Sequence, residues 1–115
     1  MSAEPLTLES VPGQAVGSRI LRLTGPLTLN GLFEFQNTLR ADPPAALILD
    51  LSAVPYMDSA GMGAIINYFV SCERHGRKVI VAGVNGRVHE LFKMTKVDGL
   101  LTIVETVADA ERALA

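Results

Sequence analysis

Leu6-Thr7-Leu8-Glu9-Ser10 alternates apolar with polar side chains, the two-residue period of a half-buried strand. Pro12-Gly13 supplies a turn, and Arg19-Ile20-Leu21-Arg22-Leu23 follows as a second strand, so the spacing predicts a hairpin of two edge-type strands. Beyond Gly25-Pro26 the period lengthens. Leu32, Phe35 and Leu39 fall at spacings of three and seven, which predicts a short amphipathic helix over residues 30–40, with Asn30 as its cap and Pro43-Pro44 beyond its end.

Residues 45–51, Ala45-Ala46-Leu47-Ile48-Leu49-Asp50-Leu51, are almost continuously apolar, as a strand buried on both faces should be, and this run is expected at the centre of a sheet. From Ser59 to Arg74, Met62, Ile65, Ile66, Phe69 and Val70 follow the helical spacing, and Gly76 stands where a C-terminal cap belongs. Lys78-Val79-Ile80-Val81-Ala82 reads as another buried strand, and Asn85 opens a helix with Val88, Leu91 and Phe92 on one face. Past Gly99, residues 100–104 give a last short strand, and Thr106-Val107-Ala108-Asp109 begins a terminal helix. The order β-β-α-β-α-β-α-β-α predicts a single α/β domain over residues 1–115. Right-handed crossovers, a mixed but mostly parallel sheet of about five strands and four helices follow. Fraying is expected only at residues 1–4 and 113–115.

Composition narrows the function. With 115 residues, 49% apolar and 19% charged, the chain can build one core and lies outside the disordered class. A formal charge of −2 and the lack of a dense Lys/Arg run argue against nucleic-acid binding. Arg74, His75, Arg77 and Lys78 around Gly76 suit the end of a helix dipole without any ligand. The lone Cys72 fits a reducing compartment, and there is neither a leader-like N-terminus nor an apolar run long enough to span a bilayer. Cytoplasmic localisation without membrane insertion is the expectation.

The candidate chemistry lies in a strand-to-helix connection, Pro55-Tyr56-Met57-Asp58-Ser59-Ala60-Gly61-Met62-Gly63, where function gathers in open α/β sheets. Ser59 as N-cap would accept a first-turn N–H, worth about 1 kcal/mol, and that alone would explain it structurally. Gly61 and Gly63 each weaken a helix, so either a partner approaches the turn or the helix packs closely on its own sheet; spacing supports both equally. Tyr56 and Met57, side chains common at contact surfaces, make the loop a docking surface without an evident catalytic base.

Leu49-Asp50-Leu51-Ser52, then Met57-Asp58-Ser59-Ala60-Gly61-Met62-Gly63, then Gly76-Arg77-Lys78-Val79-Ile80-Val81-Ala82-Gly83 and later Leu91-Phe92 with Val97-Asp98-Gly99-Leu100, resemble the STAS family, best known from bacterial anti-sigma factor antagonists. The resemblance implies partner switching. The unmodified protein would bind an anti-sigma factor, often itself a serine kinase, and so free a sigma factor for transcription. Ser59 matches the serine that the kinase phosphorylates, and ATP and magnesium would belong to the kinase, leaving this chain with no cofactor and no catalytic role. Tyr56, Met57, Asp58, Ser59, Ala60, Gly61, Met62, Gly63 and Thr28 are the expected partner-binding residues. Where many members carry an aspartate after Gly-x-Leu, this chain has Thr28 after Gly25-Pro26-Leu27.

Three other readings compete. STAS domains also serve as accessory subunits of membrane transporters, including lipid-trafficking ABC systems. A serine hydrolase would want Gly-x-Ser-x-Gly, but Met57 replaces the first glycine and neither His75 nor His89 is placed as a base. A phosphoacceptor receiver built on Asp50 would want an acidic pair after the first strand and a lysine after the last, and finds neither; Asp50 is expected to end its strand by capping the loop. A homodimer is also open, with Leu29, Phe33 and Tyr68 as candidate apolar surface.

Overall fold

The unbroken apolar run becomes the middle strand of the sheet. The structure, a computed structural model, describes residues 5–97 and 99–115, so the expected fraying of residues 1–4 and the Asp98 of the resemblance lie outside the described residues. Five strands, β1 (Thr7–Pro12), β2 (Ser18–Thr24), β3 (Ala46–Ala53), β4 (Lys78–Ala82) and β5 (Thr102–Val104), stand in chain order. β1 is antiparallel to β2, and the other neighbouring pairs are parallel. A 3-10 turn (Leu29–Gly31) and the helices α1 (Leu32–Arg40), α2 (Ser59–His75), α3 (Gly86–Met94) and α4 (Val107–Leu114) complete the expected order.

Strand alternation sorts the helices into two layers. Leu21, Leu23, Leu47, Leu49, Leu51, Val79 and Val81 form the main core with Phe35 and Leu39 of α1, Met62, Ile65 and Tyr68 of α2, and Val88 and Phe92 of α3. The intervening Ile20, Ile48 and Ile80 pack instead with Ala110 of α4. Every residue from Leu47 to Leu51 is buried because β3 has a helical layer on each side. Gly76 closes α2 in the left-handed conformation, φ 69°, donating its N–H to the Cys72 carbonyl.

Several expectations are corrected. β2 is not an edge strand: it lies between β1 and β3, with Leu21 and Leu23 buried. Asn30 does not cap a helix. It sits within the 3-10 turn, and α1 starts after Gly31 with no side-chain cap. The buried stripe of α2 runs through Gly61, Met62, Ala64, Ile65, Tyr68 and Cys72, while Val70 faces out and Tyr68 is core rather than dimer surface. Small Gly, Ala and Cys side chains mark that stripe, so hydropathy underweights it. Residues 113–114 remain helical, and Leu114 packs against the outer layer.

Asp50 does not end β3, which continues to Ala53. Its buried carboxylate accepts from Arg22 Nε at 3.1 Å and from the Ser52 N–H and hydroxyl at 3.0 and 2.7 Å, pinning β2 to β3. Burial pushes its pKa up, but the hydrogen bonds from Ser52 and Arg22 outweigh that and the net direction is down. A depressed folded-state pKa gives stability that is present above the ordinary carboxylate value and lost as pH falls through the folded one. Asp50→Asn is therefore expected to cost about 1–3 kcal/mol at neutral pH, the gap to wild type narrowing below about pH 4. Urea unfolding across that range measures it; a gap independent of pH would show that the charge of Asp50 does not hold the strands.

Candidate functional site

At the carboxyl end of β3 the chain makes a five-residue passage to α2, and a distant segment straps it down. Leu27 donates its N–H to the Tyr56 carbonyl and accepts from the Asp58 N–H, both at 3.2 Å, forming a short parallel bridge with Met57. Val54 and Met57 turn into the core, so Tyr56 between them is left outside, 39% exposed, with the Arg87 guanidinium 5.1 Å from its ring centre. The Asn85 amide donates to the carbonyls of Val54 and Pro55 at 3.2 and 3.1 Å, while its oxygen caps α3 by accepting from Val88 N–H. One side chain thus ties the loop to the next helix.

Ser59 is not the N-cap. Asp58 holds that position, its Oδ1 accepting from Gly61 N–H at 2.9 Å and its Oδ2 from Leu29 N–H at 3.1 Å. Ser59 is the first helical residue and is exposed, its hydroxyl outside the cap. The reason is one of register: a cap must keep extended backbone, which Asp58 has at φ −103° and ψ −177°, and a carboxylate can take two donors at once. Asp58 also puts a carboxylate beside Ser59, although Thr28 stands where the resemblance led one to look for an acid.

The two glycines divide between the two accounts that spacing left open. A Cβ on Gly61 would lie 2.4 Å from the Leu27 carbonyl oxygen, so this glycine serves the close approach of the strap. At Gly63 a Cβ would meet nothing, and the residue lies on the half-exposed side of the helix.

Of the nine expected contact residues, Tyr56 and Ser59 are exposed and Asp58, Ala60, Gly63 and Thr28 are half-buried, with Asp58 bonded to the N–H of Leu29, the residue after Thr28. Gly61 and Met62 are buried; Met57 is largely buried but lines the hollow between Tyr56 and α3. Shallow hollows flank Tyr56, one beside Thr28 and Glu34, the other beside Arg87, Leu91 and Met94. Met94, Leu29 and Phe33 are strongly exposed apolar side chains. The sequence placed Asn85 only as the start of α3 and singled out neither Arg87 nor Met94; a cap and a long side chain on another helix give no signal of what they reach. Among the described residues no group of three side chains could hold a metal ion, and no helix is long and apolar enough to cross a membrane.

The STAS domain family model matches residues 10–110. The chain belongs to the STAS domain family. Similar curated proteins include the anti-sigma-B factor antagonist of Staphylococcus aureus (strain NCTC 8325 / PS 47), 27% identical over 78 residues, which are 68% of this chain and 72% of that protein. Its fold is shared with an anti-sigma factor antagonist from Mycobacterium paratuberculosis, TM-score 0.80 at 21% identity over 98% of both chains. It is shared too with the phosphorylated form of the Bacillus cell fate determinant SpoIIAA, TM-score 0.73 at 14% identity over 95% of this chain and 100% of that one. At such identities the likeness of these structures is one of fold.

The division of labour between Asp58 and Ser59 is testable by equilibrium unfolding. Asp58→Ala is expected to lose about 1–2 kcal/mol, and Ser59→Ala to stay within about 0.5 kcal/mol of wild type. Equal losses would return the cap to Ser59. For the glycines, Gly61→Ala should cost about 1–3 kcal/mol and Gly63→Ala should be neutral or stabilising by up to about 1 kcal/mol. The reverse order in urea midpoints would contradict the packing of Leu27 on α2.

Proposed function

We propose that this STAS domain is an anti-sigma factor antagonist, switched by phosphorylation of Ser59. One observation carries the proposal: Ser59 is exposed at the first position of α2 while its neighbour Asp58 does the capping. A kinase can reach the hydroxyl, and modifying it removes no bond on which the helix start depends. The name of the Staphylococcus aureus relative and the phosphorylated SpoIIAA neighbour support the same reading.

The switch follows from charge and bulk. A phosphoryl group brings about −1.5 to −2 charges and strong acceptor oxygens, and the positive end of a helix is a favourable place to hold them. A partner seated over Tyr56, the bare Ser59 and Ala60 would lose its fit, meet repulsion at any acidic group and have to strip water from a dianion. Each 1.4 kcal/mol so lost is about tenfold in affinity. The partner is an anti-sigma factor that is itself the serine kinase, supplying ATP and magnesium, in a cytoplasmic setting that suits the free buried Cys72. This chain provides the substrate serine and the docking surface, with no chemistry of its own.

Pull-down from native extract with and without ATP, followed by intact-mass measurement, tests the reading. The expected results are a gain of one phosphate that is absent in Ser59→Ala, constitutive partner binding by Ser59→Ala, and binding at least about tenfold weaker by Ser59→Asp. Wild-type binding by both variants would sink the switch. Capture of transporter subunits in place of an anti-sigma factor would instead establish the accessory-subunit role.

A further inference from the structure

From Ser59 to Cys72, α2 has no acidic or basic side chain. Each of the other three helices places at least two in eight or nine residues, as with Glu34 and Arg40 in α1. A helix packed on a sheet normally turns its charges to water. What α2 turns outward instead is Ser59, Gly63, half-buried Ile66 and Val70 at 45% exposure. Spacings of four, three and four put them in one stripe, opposite the buried Gly61, Ile65, Tyr68 and Cys72. Asn67 beside the stripe is exposed and polar but uncharged.

Two members of the stripe serve nothing inside the chain. A glycine within a helix weakens it relative to alanine, and a Cβ on Gly63 would meet nothing, so no internal contact calls for its small size. Val70 belongs to neither core cluster. At the Ser59 end, Leu29 and Phe33 add apolar side chains that are 68% and 80% exposed, and Leu29 is tied to the start of α2 through Asp58. Depletion of charge and exposure of large apolar side chains mark the surfaces where proteins meet.

We propose that the anti-sigma factor lays an apolar helix along this stripe, with a bulky side chain seated over Gly63 and the contact running from Leu29 and Phe33 to Val70. The stripe follows one helix for about 16 Å, a shape that a second helix fills ridge into groove. A face without charge offers no counterpart to a charged partner surface, so the side chains that meet it are apolar. The proposal rests on the reading of this chain as an anti-sigma factor antagonist. It adds to that reading a seam that begins at Ser59 and extends three turns past it, so that a phosphoryl group would stand at one end of the contact.

Ser59→Ala, which cannot be switched off, is the background for the test. Anti-sigma factor captured from native extract is identified and quantified by mass spectrometry, and urea unfolding is followed by circular dichroism. Adding Gly63→Lys or Val70→Lys should each lower capture about tenfold or more. Urea midpoints should stay at or above that of the background, because lysine is a better helix former than glycine or valine. Ala113→Lys, an exposed site on α4 across the sheet, adds the same charge and should leave capture unchanged. Should Val70→Lys lower the midpoint, Gly63→Lys decides alone, since a side chain there displaces nothing in the fold. Undiminished capture by Gly63→Lys overturns the seam and leaves the antagonist reading intact. If the background chain captures no anti-sigma factor, that reading fails and the seam with it. A chain that sediments as a dimer, and as a monomer once Val70→Lys is introduced, would put a second copy on the stripe and overturn the proposal.

Discussion

Asp58 accepts backbone N–H groups from two segments that are far apart in the chain, Gly61 in the helix it opens and Leu29 in the turn before α1. With the Leu27–Met57 bridge, this carboxylate fastens residues 27–29 across the start of α2. The approach is close enough that Gly61 has no room for a side chain. Everything about the candidate site follows from that seam. It turns Met57 inward and leaves Tyr56 outside. It also lays residues 27–29 against Asp58, and it sets the register that makes Ser59 the first helical residue rather than the cap.

A serine that capped the helix would be a poor switch, because its modification would disturb the element that presents it. Here the structural duty falls on an aspartate, which cannot be phosphorylated by a serine kinase and holds its two donors through charge-assisted bonds. The helix start is fixed, and the neighbouring hydroxyl is free. In the proposed switch, modification of Ser59 would alter what docks without altering the fold, and the free energy of the added charge would fall on the partner interface.

Elsewhere the same helix solves a different problem. Its buried stripe has small residues under the Leu27 strap and Tyr68 and Cys72 farther along, where a cleft opens between α2, α1 and the turn after α2. The opposite face of the sheet is covered by α4, and there the half-exposed Arg22 reaches the buried Asp50 in an ion pair between β2 and β3. The charge is tolerable only because Ser52 donates two further hydrogen bonds to it.

Element order, the central place of β3, the caps of α3 and α4 and the glycine end of α2 were all legible in the sequence. Each rests on period or on a residue acting within a turn of itself, as Asn85 and Thr106 do when they accept from the N–H three residues on. That residues 55–63 lead from a strand into a helix was legible for the same reason. Contacts between distant segments were not. That Leu29 would take the second oxygen of Asp58, that Gly61 answers to Leu27 while Gly63 answers to nothing, that β2 is interior, and that Tyr68 is buried with an idle hydroxyl are all consequences of which segments the fold lays side by side. A sequence specifies local geometry through short-range sterics and hydrogen bonds; which of two adjacent residues, Asp58 or Ser59, bears the helix and which is left exposed was decided only when the strap closed over α2.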